Sequence, residues 1–202
     1  MKLKFMREFD GDLEKLPKRE VEGAVQFREF DSMKKLAVVA NVLGGVLMII
    51  LMIPLFNPLF TAAAHNDPFY FARNMLILVA VYLASVPIHE LLHASCFREE
   101  VYFFTYLKKG MAFVVGTESM SKARFVFMSI LPNIVFGFIP YIAYFAFGLP
   151  VWFGFFGAIA IGSGAGDYIN IYNALRQVPK GGLCYMSGMH SYWYMPDNLG
   201  KK

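Results

Sequence analysis

Polar and apolar positions are segregated along this chain. Residues 1–35 mix Lys, Arg, Asp and Glu with scattered apolar side chains. Four long apolar runs follow, over about 36–56, 75–97, 123–147 and 151–175, each near the roughly 20 residues that a helix needs to cross a bilayer. Asn57-Pro58 and His65-Asn66-Asp67-Pro68 form the first interruption, and Gly148-Leu149-Pro150 is a tight turn between the third and fourth runs. Pro132 and Pro140 lie inside the third run, where proline bends a helix. The pattern predicts an all-α polytopic membrane protein with four transmembrane helices. Its expected domains are a polar N-terminal extension over 1–35, a membrane domain over 36–178 and a tail over 179–202.

The stretch between the second and third runs has a different period. Val101 to Leu107 and Met111 to Val115 read as two strands around Lys108-Lys109-Gly110. We expect a small β-hairpin there, able to shield a site or offer an edge to an extended peptide. Basic residues set the orientation. Nine Lys or Arg precede the first run, only Arg73 falls between the first and second, and Arg98, Lys108, Lys109, Lys122 and Arg124 fall between the second and third. The turn into the fourth run has none, and the tail has Arg176, Lys180, Lys201 and Lys202. This alternation predicts cytoplasmic termini and a cytoplasmic hairpin, in the cell membrane.

Composition supports a chain that lives in lipid. It is 57% hydrophobic and only 17% charged, so the net charge of +4 reads as loop topology rather than nucleic-acid binding. The first residues lack an apolar signal-peptide core, so the first run is expected to direct insertion. Cys96 and Cys184 have no framework spacing and read as reduced thiols.

Chemistry concentrates in His89-Glu90-Leu91-Leu92-His93, inside the second run. Ionisable groups are costly in such a helix and call for a function. Residues four apart share a helix face, so His89 and His93 can reach one metal ion, with Glu90 beside them as a general base. A catalytic zinc takes three protein ligands and keeps one position open. The best third candidate is Asp167, the only acidic residue between Ala123 and Leu175. His89 and Asp167 lie about 14 and 16 residues into their runs, roughly 21–24 Å from the outer surface at about 1.5 Å per residue. Gly154, Ala158, Gly162 and Gly166 form a small-residue row beside Asp167 that would let helices approach closely. Asn133, Asn170 and Cys96 are possible site-lining residues. His65 reads as a solvated loop histidine and His190 as a weaker ligand candidate than Asp167. Tyr192, Trp193 and Tyr194 read as an interfacial anchor.

These residues carry a resemblance. HELLH in an early span, Leu131-Pro132-Asn133, Gly162 to Gly166 with Asp167, and Gln177-Val178-Pro179-Lys180-Gly181 resemble the DUF3267 group of zincin peptidases, related to the site-2 protease clan of intramembrane metalloproteases. The likeness runs from about Met75 to the C-terminus. It implies His89, His93 and Asp167 as zinc ligands, Glu90 as the base, and a membrane-associated or transmembrane peptide as substrate. The sequence departs from the clan in two places. Its Asp stands in Gly166-Asp167-Tyr168 instead of Leu-Asp-Gly, and Pro132-Asn133 reverses the clan's Asn-Pro order. The alternative reading is a catalytically inactive zincin-like membrane protein that acts as a regulator or binding partner.

Overall fold

The computed structural model describes residues 2–6, 8–30, 32–65 and 69–196. The chain is mostly helical, with α1 (Met33–His65), α2 (Tyr70–Ser95), α3 (Lys122–Asn133), α4 (Ile139–Phe147), α5 (Val151–Ser163) and α6 (Ala165–Gln177). A π-helical turn, Ile134–Phe138, joins α3 to α4. Among the described residues seven strands add two small sheets, so the protein is not all-α: β1 (Lys2–Phe5), β2 (Val25–Gln26), β3 (Glu100–Tyr106), β4 (Met111–Val115), β5 (Met120–Ser121), β6 (Leu183–Ser187) and β7 (His190–Tyr194).

Three stretches among the described residues are long and apolar enough to cross a membrane: Lys34–Ala62, Tyr70–Ser95 and Lys122–Phe147. This is a membrane protein. The predicted run over 151–175 is two helices. Gly164 ends α5, its N–H bonded to the Ala160 carbonyl at 3.1 Å, and the Asp167 N–H bonds to the Gly164 carbonyl at 2.9 Å as α6 begins. The interruption expected from Asn57-Pro58 is not there: α1 continues through Pro58 to His65, so His65 is helical and not a loop residue, while 66–68 lie outside the described residues.

The chain divides into two compact units. One comprises residues 1–31, 87–131 and 168–202. It contains both sheets, ordered β1-β3-β4 and β2-β7-β6-β5. The expected hairpin is β3–β4, with Gly110 at φ +62° where the chain needs a left-handed residue. The N-terminal residues add β1 parallel to β3, and β2 antiparallel to β7. Phe27, Ala94, Phe97, Val101, Phe125, Met128 and Cys184 fill the main core. Burial pushes the Cys184 thiol up to about 12, so it serves packing and not nucleophilic chemistry.

The other unit comprises residues 32–86 and 132–167. Leu55, Leu59, Leu78, Val151, Phe155 and Phe156 make its core. Its helices approach through glycine. A Cβ on Gly44 would lie 2.3 Å from the Gly162 carbonyl oxygen, and one on Gly162 would lie 2.7 Å from that of Gly44. Gly154 of the same row packs against Leu55, whereas Gly166 meets nothing within 4 Å. Val42, Val46, Ile49, Ile53 and Phe60 of α1 stay exposed, as an apolar face does when lipid is its solvent.

Candidate metal centre

The last turns of α2 carry His89, Glu90 and His93. Helical spacing brings the two imidazoles together, with Nε2 of His89 3.1 Å from Nε2 of His93. Ligand atoms of His89, Glu90 and His93 all lie within 4.8 Å of one another. His93 is 8% exposed, while His89 and Glu90 are half-buried.

The cluster suits a metal. Two Zn–N bonds of about 2.0–2.1 Å at the tetrahedral angle place their nitrogens about 3.3 Å apart, close to the separation seen here. The tautomer of His93 suits it as well. Its Nδ1 lies 2.9 Å from the backbone carbonyl oxygen of Met128. A carbonyl can only accept, so Nδ1 carries the proton and Nε2 keeps its lone pair for a ligand. Pro132 explains why that carbonyl is available. In a regular helix the Met128 carbonyl would take the N–H four residues on, and Pro132 has none.

Asp167 stands in the first turn of α6, half-buried. Asn133 is 1% exposed, and its Nδ2 donates to Asp167 Oδ2 at 2.8 Å. Gly164 makes room for this amide, since a Cβ there would fall 1.6 Å from Asn133 Oδ1. Pro132-Asn133, expected as a kink with Asn133 a possible site-lining residue, thus does two jobs: Pro132 leaves a carbonyl free for His93, and Asn133 orients a carboxylate. The signal was a proline beside an amide in an otherwise apolar run.

Asn170 is half-buried on α6, one turn beyond Asp167. Cys96 follows α2, with Sγ 3.7 Å from the Leu92 carbonyl oxygen, and packs against the main core. His190 lies on β7, where its Nδ1 pairs with Glu29 Oε2 at 3.0 Å. His65 is the last residue of α1. Tyr192, Trp193 and Tyr194 lie on β7, and Tyr192 stacks on Tyr185 with ring centroids 5.4 Å apart.

The fold and cluster define a helical membrane protein with a histidine–glutamate group on a helix able to span the bilayer. Residues 82–183 match the family model DUF3267, described as "Putative zincin peptidase". That is half of the chain, and the chain belongs to this family of metallopeptidases. The matched stretch contains His89, Glu90, His93, Asn133 and Asp167. No curated protein and no solved structure matches the chain.

Proposed function

We propose that this protein is an intramembrane zinc metalloendopeptidase, akin to the site-2 protease clan. On this reading it hydrolyses peptide bonds of membrane-associated or transmembrane substrates near the cytoplasmic face. The carrying observation is the His89–His93 pair, with Nε2 atoms 3.1 Å apart and Glu90 in the same cluster, on an apolar helix. In the proposed topology the 151–175 stretch serves as a fourth crossing, and both termini and the β3–β4 hairpin face the cytoplasm, as the basic residues favour.

His89 and His93 would hold the metal through Nε2, with Asp167 as the third ligand. Zinc bound there would supply Lewis acidity and make water nucleophilic near neutral pH. Met128 fixes the His93 tautomer, and Asn133 steadies the Asp167 carboxylate. Glu90 takes the proton from the attacking water and passes it to the departing amide nitrogen.

The test separates metal binding from turnover. Purified full-length protein in detergent would be assayed for zinc by elemental mass spectrometry and for cleavage of a membrane-peptide library. Glu90→Gln should keep its zinc and lose about 10²–10⁴ in rate. Asp167→Ala should lose zinc. Undiminished cleavage by Glu90→Gln would remove Glu90 as the base. A wild-type protein that holds zinc and cuts nothing would favour the regulatory reading.

A further inference from the structure

A cleft of about 430 Å³ opens away from the HELLH cluster in sequence, between β2, β7 and the end of α6. Arg28, Arg176, Tyr172, Trp193, Asn173 and Gln177 line it, and no carboxylate does. The Gln177 side chain grips the Arg28 backbone: its Oε1 accepts from Arg28 N at 2.6 Å, and its Nε2 donates to Arg28 O at 3.4 Å and to Asn173 Oδ1 at 3.0 Å. Arg176 Nη1 donates to Tyr172 Oη at 2.7 Å, and its guanidinium lies 5.8 Å from that ring's centroid. Among the described residues neither guanidinium has an ion-pair partner. Two arginines thus share one cleft with their forks uncommitted to any carboxylate.

Such a pair suits an oxyanion with several acceptor oxygens, because guanidinium forks bind phosphate in a planar, bidentate manner. Three features identify what carries the phosphate. Trp193 and Tyr172 supply the aromatic groups that sit at a membrane–water boundary. On α6, Tyr172 and Leu175 are 57% and 60% exposed beside Arg176, an apolar surface that a free ion would not need. Arg28 stands six residues before Lys34, the start of the first candidate span, a reach of at most about 20 Å for an extended chain. That distance keeps Arg28 in or near the headgroup layer, where a basic side chain meets anionic lipid. We propose that this cleft binds the phosphate of an anionic phospholipid headgroup.

The test uses the full chain in neutral detergent with Trp152→Phe, which leaves Trp193 as the single indole of the two. Trp193 fluorescence would be titrated with dihexanoyl-phosphatidylglycerol, dihexanoyl-phosphatidylcholine and inorganic phosphate. The anionic lipid should give a saturable change, with an apparent Kd about tenfold or more below those of the other two. Arg28→Gln with Arg176→Gln should abolish the preference. The Arg28→Lys, Arg176→Lys pair should keep part of it, since charge remains and the fork is lost. Added salt should weaken the anionic-lipid titration of the unaltered cleft, a readout that stands even if the double glutamine variant unfolds. Equal binding of both lipids, an unaffected and folded glutamine variant, or inorganic phosphate binding as tightly as the lipid would each overturn the assignment; the last would make it a free-phosphate site.

Discussion

Both units have an apolar core, but their closest contacts differ. The unit with the sheets closes over large side chains: Phe27 meets Phe125 edge-on, and Phe9 packs edge-on against Phe104, Tyr106 and Phe113. The other unit adds to its side-chain core a close backbone approach, through Gly44 with Gly162 and through Gly157 against Tyr141. Water and lipid reward these two kinds of contact differently. Taking large apolar side chains out of water is the main driving force of folding. Lipid offers no such gain, so helices there are held by close van der Waals contact that only small residues permit. One chain uses both kinds of contact.

A crossed pair of substitutions gives the largest expected effects. Phe125→Ala removes a ring that is 1% exposed and should cost about 3–5 kcal/mol. Gly44→Ala adds a methyl where the Gly162 carbonyl already stands and should cost about 1–3 kcal/mol. Gly45→Ala, one residue along, meets nothing within 4 Å and should be neutral or slightly stabilising, as Ala favours helix. Unfolding in mild detergent with denaturant measures all three. If Gly44→Ala and Gly45→Ala behave alike, backbone approach does not hold that unit.

The same contrast explains what could be read in the sequence. The first three apolar runs were legible because a bilayer demands length and hydrophobicity, and both are written locally. The β3–β4 hairpin was legible from two short apolar runs around Lys108-Lys109-Gly110. The break at Gly164 was not, and neither was the need for glycine there, since the Asn133 side chain, 31 positions earlier, occupies the space of a Cβ. The four-stranded sheet was missed because β2 and β5 are two residues each and acquire partners only through β6 and β7. The β6–β7 hairpin did leave a signal: Tyr185, Tyr192 and Tyr194 flank Gly188-Met189, a two-residue turn with glycine at φ +60°. In the candidate site, HELLH was plain from its spacing. Asn133 was legible as a site-lining candidate, but the contacts of Met128, Pro132 and Asn133 were hidden, since they rest on where a carbonyl and an amide point.

A middle-sized effect should come from Glu118, 5% exposed in the unit with the sheets. Its Oε2 accepts from the Arg98 and Glu99 N–H groups at 2.6 and 2.9 Å, and its Oε1 from Arg124 Nη1 at 2.6 Å. Burial pushes this carboxyl up, but the Glu99 amide, Arg124 and the Arg98 amide together hold it below its ordinary 4.5. A folded value below the unfolded one means stability that is present above 4.5 and lost as pH falls through the lower folded value. Glu118→Gln should therefore cost about 2 kcal/mol at neutral pH, with the deficit shrinking in acid below the carboxylate range. Unfolding midpoints of both proteins across pH check it. A deficit that stays constant into strong acid would mean that the loss is one of shape and not of charge.

The smallest effect tests the join between helix packing and the proposed chemistry. Pro132 is fully buried inside α3 and withholds the N–H that would occupy the Met128 carbonyl. Pro132→Ala restores that N–H. The carbonyl has two lone pairs, so His93 need not lose its partner, but it must share one and its ring is held less firmly. Zinc affinity, measured by competition with a chromophoric chelator, should fall by less than about tenfold, below the usual loss for deleting an outer-shell partner. Stability should move little, because the helix bond regained offsets the ring volume lost. Pro140→Ala in α4 is the control: it also relieves a helix of proline, yet it lies 12 positions past Met128 and should leave zinc affinity alone. An equal fall in both variants would trace the effect to general helix geometry. An unchanged affinity in both would show that His93 keeps its tautomer without help from Pro132.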